Sequence, residues 1–199
     1  MIYSKGKLYA IDIEDLLVFD IVDELDRGEP RVSQIKLVIK GEPLPYDRNS
    51  LQVPYLLESH GTLLLVRRKV PYKLEKGNRF RRTAYIGVGD TNEFEVFEAD
   101  CESRLWVEVR GLVKGQALFI GQGCSRAIDM SPYDQSGDSI FFLDDYAHIH
   151  TGLLWKKTTT SCGVYDMKDG RVHSPLPMVS WKLGDVSATW LFSQGKTDK

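Results

Sequence analysis

One short pattern occurs three times along the chain, and it constrains the fold more than any other feature. Each copy closes on a valine, an aromatic residue and an acid: Val18-Phe19-Asp20, Val96-Phe97-Glu98 and Val164-Tyr165-Asp166. A very apolar run precedes each triplet after a variable gap: Leu8 to Ile11, Leu63 to Val66, and Ile140 to Leu143. Two copies are followed by a further candidate strand, Val32 to Ile39 and Leu105 to Val109. Units of roughly 60–80 residues with about four short strands each resemble propeller blades with long insertions. Three such blades cannot close a ring, since propellers need four to eight to protect their edges. The expectation is therefore an all-β chain: a partial β-propeller of about three four-stranded antiparallel blades over residues 1–192, with 193–199 a disordered polar tail. A β-sandwich is the alternative.

Local signals agree with an all-β reading. Lys7 to Asp12, Leu16 to Ile21 and Val32 to Lys40 are β-branched or aromatic runs bounded by turn residues. Tyr55 to Ser59 and Thr62 to Arg68 flank His60-Gly61, which suits a two-residue hairpin loop. Phe94 to Glu98, Leu105 to Val109, Ala117 to Ile120, Ala127 to Met130, Ser139 to Asp144, Gly163 to Asp166 and Thr189 to Phe192 continue the series. No window of about a dozen residues holds a helical apolar period. Asp23 to Gly28 could form a single helical turn.

Composition excludes several classes of function. The chain has 199 residues, 42% hydrophobic and 27% charged, with 26 Lys plus Arg against 28 Asp plus Glu. That is a globular composition, unlike a disordered chain. A net charge of -2 argues against an electrostatic nucleic-acid binder. No apolar stretch approaches the length of a membrane-spanning helix, and the acid-punctuated start is unlike a signal peptide. Cys101, Cys124 and Cys162 are odd in number and widely spaced, which suits neither a disulfide framework nor a zinc site. A reducing compartment is expected, cytoplasmic and/or nuclear, with no nucleic-acid or membrane partner.

Candidate chemistry is sparse. Asp144, Asp145, His148 and His150 make the most metal-like cluster, because His-x-His on a strand faces one way. Its plainer reading is a polar loop after Phe141-Phe142-Leu143. Gly121-Gln122-Gly123-Cys124-Ser125-Arg126 begins like a dinucleotide fingerprint, yet Arg126 replaces the third glycine and no helix follows. Gly87-Val88-Gly89-Asp90 fails in the same way. Cys124 has no nucleophile signature around it and reads as a buried or half-buried free thiol. Neither a catalytic residue nor a cofactor is assigned. Basic runs stand at Arg67-Arg68-Lys69, Arg79-Phe80-Arg81-Arg82 and Lys156-Lys157. The Arg79, Phe80, Arg81, Arg82 run is either a solvated loop or a docking patch for an acidic surface, since Arg and aromatics dominate interface hot spots. Trp155 and Trp181 lie in polar surroundings and read as rim contacts, whereas Trp106 reads as core between blades.

Several segments carry a family resemblance. Trp106-Val107-Glu108-Val109 through Gly111-Leu112 to Ala117-Leu118-Phe119-Ile120-Gly121 is the first, followed by Ser125-Arg126-Ala127 and Ser139 to Asp145. Gly163 to Gly170, Lys5 to Asp12, Tyr55 to Ser59 and Leu63 to Val66 also fit. Taken in chain order, they resemble the plant domain-of-unknown-function 295 family, the F-box-associated or KIB-type β-propeller, in its C-terminal part. The resemblance implies a non-catalytic interaction module like the substrate-recognition propeller of plant F-box proteins in ubiquitin-ligase complexes. It also implies a protein target, in some relatives a GSK3-like kinase. The F-box is absent here, so binding of a Skp1-type adaptor is not expected. Two other readings are a metal-dependent hydrolase using Asp145, His148 and His150, and a non-functional truncated fragment.

Overall fold

A computed structural model describes residues 1–23, 30–41, 50–74, 83–86, 92–113, 115–121, 123–131, 137–143, 154–156, 163–173, 190 and 192. Every regular element among them is a strand, and the strands form three sheets. The first sheet is a meander of β1 (Ile2–Ser4), β2 (Lys7–Asp12), β3 (Asp15–Asp23) and β4 (Pro30–Ile39), each antiparallel to the next. The second holds β5 (Ser50–Ser59), β6 (Thr62–Leu74), β7 (Thr83–Ile86), β8 (Glu93–Asp100) and β9 (Leu105–Glu108). The third holds β10 (Gln116–Ile120), β11 (Arg126–Asp129) and β12 (Ser139–Phe142). A further strand, β13 (Leu154–Lys156), returns to the second sheet, while β14 (Gly163–Asp166) and β15 (Arg171–His173) complete the third. The architecture is a partial β-propeller that does not close among the described residues.

The repeat is real at the level of structure. The three triplets lie in β3, β8 and β14, and the apolar runs before them lie in their neighbours β2, β6 and β12. Two tight turns share one chemistry: Lys5-Gly6 and His60-Gly61 both have two positive φ angles, 47° with 77° and 50° with 79°. That geometry matches the strand twist, and glycine in the second place adopts it without a steric penalty.

The blades depart from four antiparallel strands in two places. In the third sheet β10 pairs β12 in parallel, because β11 makes the return run between them and adds a fifth strand outside β10. In the second sheet the 13-residue β6 outruns β8. Its last residues, Tyr72 to Leu74, pair β7 instead, and β13 joins β7 in parallel, giving six strands. Trp190 and Phe192 lie outside any strand, contrary to the expected Thr189 to Phe192 element. Their rings pack edge-on against Phe119, which stacks on Phe141 at 4.5 Å. Asp23 ends β3, and the rest of the expected helical turn lies outside the described residues, as does the 193–199 tail.

The sheets stack face to face, and strand alternation decides what each buries. One face of the second sheet sends Tyr55, Leu57, Leu64, Val66, Phe94 and Val96 against Leu118, Ile120, Ile140, Phe142 and Tyr165 of the third. The other sends Leu63, with Leu56, Ala99 and Trp106, against Leu16 and Ile39 of the first. A fully buried leucine or phenylalanine side chain contributes about 1.5–3 kcal/mol, so these two seams carry the hydrophobic stabilisation.

Consecutive arginines of β6 extend this alternation. Arg67 points toward the first sheet: it pairs with Glu14 at 2.5 Å and Glu95 at 2.8 Å, and stacks over Phe97. Arg68 points toward the third and is wholly buried. Its Nε donates to Asn92 at 2.9 Å, one terminal nitrogen donates to the Leu143 carbonyl at 2.9 Å, and its guanidinium lies 4.3 Å from the Phe142 ring centre. The first basic run is thus two structural ties plus Lys69, which pairs with Glu95 at 2.6 Å.

Glu14, buried in the β2–β3 turn, also accepts the Trp106 indole N–H at its backbone oxygen, 2.8 Å away. Gly41 packs so closely that an added Cβ would stand 2.4 Å from the Glu14 Cβ, and its N–H donates to Asp15. The turn's other residue is Ile13, at φ 58° and 68% exposed. A β-branched side chain is poorly suited to that left-handed conformation, which costs roughly 1–2 kcal/mol.

Two stability outcomes are expected in thermal or urea melts. Ile13→Gly raises stability by about 1 kcal/mol, since it relieves the strain without removing a buried contact. Arg68→Lys lowers it by about 2–4 kcal/mol, because an ammonium cannot reproduce the planar, stacked, forked contacts. An unchanged Arg68→Lys melt would contradict the tie assigned to this side chain.

Candidate protein-interaction surface

The extension of the second sheet carries one of the sequence candidates, Trp155, on β13. Thr83 follows Arg82 directly and is the Cα partner of Leu154, and Ala84 is the partner of Trp155. The parallel pairing of β7 with β13 therefore places the Trp155 strand at the edge of the sheet, beside the strand that begins at Thr83. Arg79, Phe80, Arg81, Arg82 and Trp181 themselves lie outside the described residues. So do Asp144, Asp145, His148, His150, Gly87 to Asp90, Lys157 and Cys162. Trp106 is where sequence places it, half-buried at the seam between the first two sheets.

The fingerprint-like segment after β10 leads into strand β11, so no helix N-terminus is available for a phosphate. Ser125 closes its turn, with Oγ accepting from the Gly121 N–H and donating to the Gly121 carbonyl. Cys124, half-buried, helps to line a cavity of about 540 Å³ where β1, β5 and this segment converge. The cavity wall is mixed, with Ile2, Val53 and Leu56 beside Gln52 and Ser125. The Gln52 side-chain oxygen is buried there with no hydrogen-bond partner among the described residues. No described histidine lines the cavity: His60 contacts Gln116 at 2.7 Å and His173 contacts Asp169 at 2.6 Å. Cys124 is free and half-buried, as the sequence reading has it.

Sequence reasoning passed over one cluster, Asp166, Asp169 and His173 in the β14–β15 hairpin, whose ligand-type atoms lie within 4.8 Å of one another. Its only sequence signal is the Asp169/His173 spacing across a turn. The group is largely exposed, and its hydrogen bonds build the turn: Asp166 accepts the Lys168 N–H and Asp169 the Arg171 N–H.

Four carboxylates, half-buried Asp20 and Asp100 and exposed Asp129 and Asp169, sit below their ordinary titration range. Asp20 is lowered chiefly by the hydrogen bond from Lys36, at 2.5 Å. Asp100 and Asp129 are lowered by the hydroxyls and N–H groups of Ser103 and Ser131. At Asp169 partial desolvation pushes upward, but the His173 hydrogen bond, the Arg171 N–H and the nearby positive charges outweigh it.

The family model of the KIB1-4 beta-propeller matches residues 1–166. The chain belongs to that family. The KIB1-4 beta-propeller match covers the first two sheets and runs through the third to Asp166, the acid that closes the third triplet. Comparison with curated proteins and with solved structures finds no match. Membership in a β-propeller family points in general terms to a protein-interaction module.

The carboxylate shifts set a pH dependence. A folded-state pKa below the unfolded value means that the unfolded chain binds more protons as the solution acidifies. The stability from these groups is present above the unfolded carboxylate pKa of about 4 and is lost as pH falls through the lower folded values. Melting temperatures are expected to be flat from pH 7 to about 5 and to drop toward pH 3, with a shallower drop in Asp20→Asn. A melting temperature that rises on acidification would contradict this.

Proposed function

We propose that this chain is a non-catalytic substrate-recognition module, similar to the propellers that select targets for plant ubiquitin-ligase complexes of the domain-of-unknown-function 295 type. Its target is a folded protein with an acidic face, of which a GSK3-like kinase is the first to test. Recognition runs through Arg79, Phe80, Arg81, Arg82, Trp155 and Trp181. The working compartment is the cytoplasm and/or nucleus.

The observation that supports this reading is the β7–β13 pairing, which joins the edge strand carrying Trp155 to the strand that follows Arg82. Arginine and tryptophan are the residue types that most often dominate binding energy. Four cationic or aromatic side chains in succession suit an acidic partner, and their attraction weakens with salt.

The test is biolayer interferometry with the purified kinase against the immobilised chain. Saturable binding is expected, weakening as salt rises from about 0.05 to 0.3 M. Combined Arg81→Glu and Arg82→Glu substitutions should weaken it by tenfold or more, and Trp155→Ala should weaken it as well. Binding indifferent to both changes sinks the assigned surface, and no binding sinks the kinase as target.

A further inference from the structure

The face of the first sheet that points away from the second is apolar across all four strands. Antiparallel partners share a face, so the register reads its content directly. Tyr3 pairs Leu8, Leu8 pairs Phe19, and Phe19 pairs Ile35, which makes one unbroken row. Beside it run a second row, Ala10–Leu17–Leu37, and a third, Ile21–Val32. Charged residues stand off the middle of these rows. Lys7, Asp20, Arg31 and Lys36 share the opposite face with Ser4 and Val18, while Asp12 and Asp15 stand at one end and Asp23 at the other.

This face is open. Tyr3 is 69% exposed, Ile35 55% and Leu37 50%, with Ile21 and Val32 also exposed. Both faces of the second sheet are covered by neighbouring sheets, and the outer face of the third carries Trp190 and Phe192 against Phe119. The open face continues the same stack and has the same chemistry as the two seams already filled. Five such side chains expose on the order of 500 Å² of apolar surface, which is the size of patch that marks an interaction site.

We propose that a second copy of this chain packs on this face, first sheet against first sheet, across a two-fold axis. Two copies together bury about 1,000 Å², the lower bound for a specific interface, so the dimer is weak and reversible. A face with no charge at its centre is complementary to itself, as a two-fold contact requires. With the axis running across the strands, the β2–β3 turn end of one copy lies over the Ile21 and Val32 end of the other. Sheets packed in this way stand about 10 Å apart, the separation at which such side chains interdigitate.

Sedimentation velocity on the full chain from about 1 to 200 µM tests this. A monomer–dimer equilibrium is expected, with a dissociation constant on the order of 10 µM. Ile35→Lys and Leu37→Lys each place an unpaired charge in the contact and should weaken it by tenfold or more. Leu105→Lys, at a 56% exposed position on β9, should leave it unchanged. Far-UV circular dichroism checks that each variant folds, and Tyr3→Lys replaces any that does not. A chain that stays monomeric at 200 µM overturns the proposal, and so does a dimer indifferent to these lysines. A monomer that binds a hydrophobic dye, lost in Ile35→Lys, also overturns it and assigns the face to a different protein.

Discussion

Arg67 and Arg68 sit back to back on β6, and the arrangement of the three sheets turns on what they reach. Adjacent residues of a strand point to opposite faces, so one guanidinium enters each seam. Arg67 meets Glu14 from the first sheet, and Arg68 meets the Leu143 carbonyl just beyond β12 of the third. Burying an arginine is costly unless its donors find acceptors, so each seam tolerates its arginine only in a narrow range of registers. The leucines around them would accept several packings. The arginines select among them, which gives a stack of small sheets a defined geometry.

The β2–β3 turn shows how that selection is arranged at short range. Glu14 is buried so that its carboxylate reaches Arg67 and its carbonyl reaches Trp106. Placing it there puts Ile13 in a left-handed conformation at the surface and demands a residue without a side chain at Gly41. Local strain at one residue is offset by an ion pair and an indole hydrogen bond between two sheets. A comparable device joins the second and third sheets, where Gln116 accepts from Ser59 at 2.8 Å and contacts His60, and Gly137 presses on its backbone.

Much of the strand content was legible because alternation, the triplets and the Gly-containing turns are local signals. His60-Gly61 announces a hairpin, and the triplets fall on equivalent strands. The parallel β10–β12 pair was not legible, since β11 looks like any other short strand and nothing local states which neighbour it leaves out. Nor were β7 and β13: three or four residues carry too little pattern, and their pairing joins distant parts of the chain. Trp190 and Phe192 fit an apolar strand by composition, but their rings cap an aromatic stack instead. The candidate contact residues were visible as types, and only the β7–β13 register brought Trp155 to the edge beside the strand after Arg82.

By itself the sequence determined that this is a chain of short strands in a threefold repeat, with turns where glycine permits positive φ and no surplus of charge. Those properties depend on near neighbours, and near neighbours are what a linear pattern encodes. Tertiary structure alone decided the fate of the charged and aromatic residues. Arg67-Arg68-Lys69 reads identically whether it lies on a surface or in two seams, and the difference is made by Glu14, Asn92 and Leu143, all distant in sequence. The same holds for the apolar face of the first sheet. Alternation marks Tyr3, Leu8, Phe19 and Ile35 as one row only once the register is known, and only the stacking of sheets shows that the row is left open.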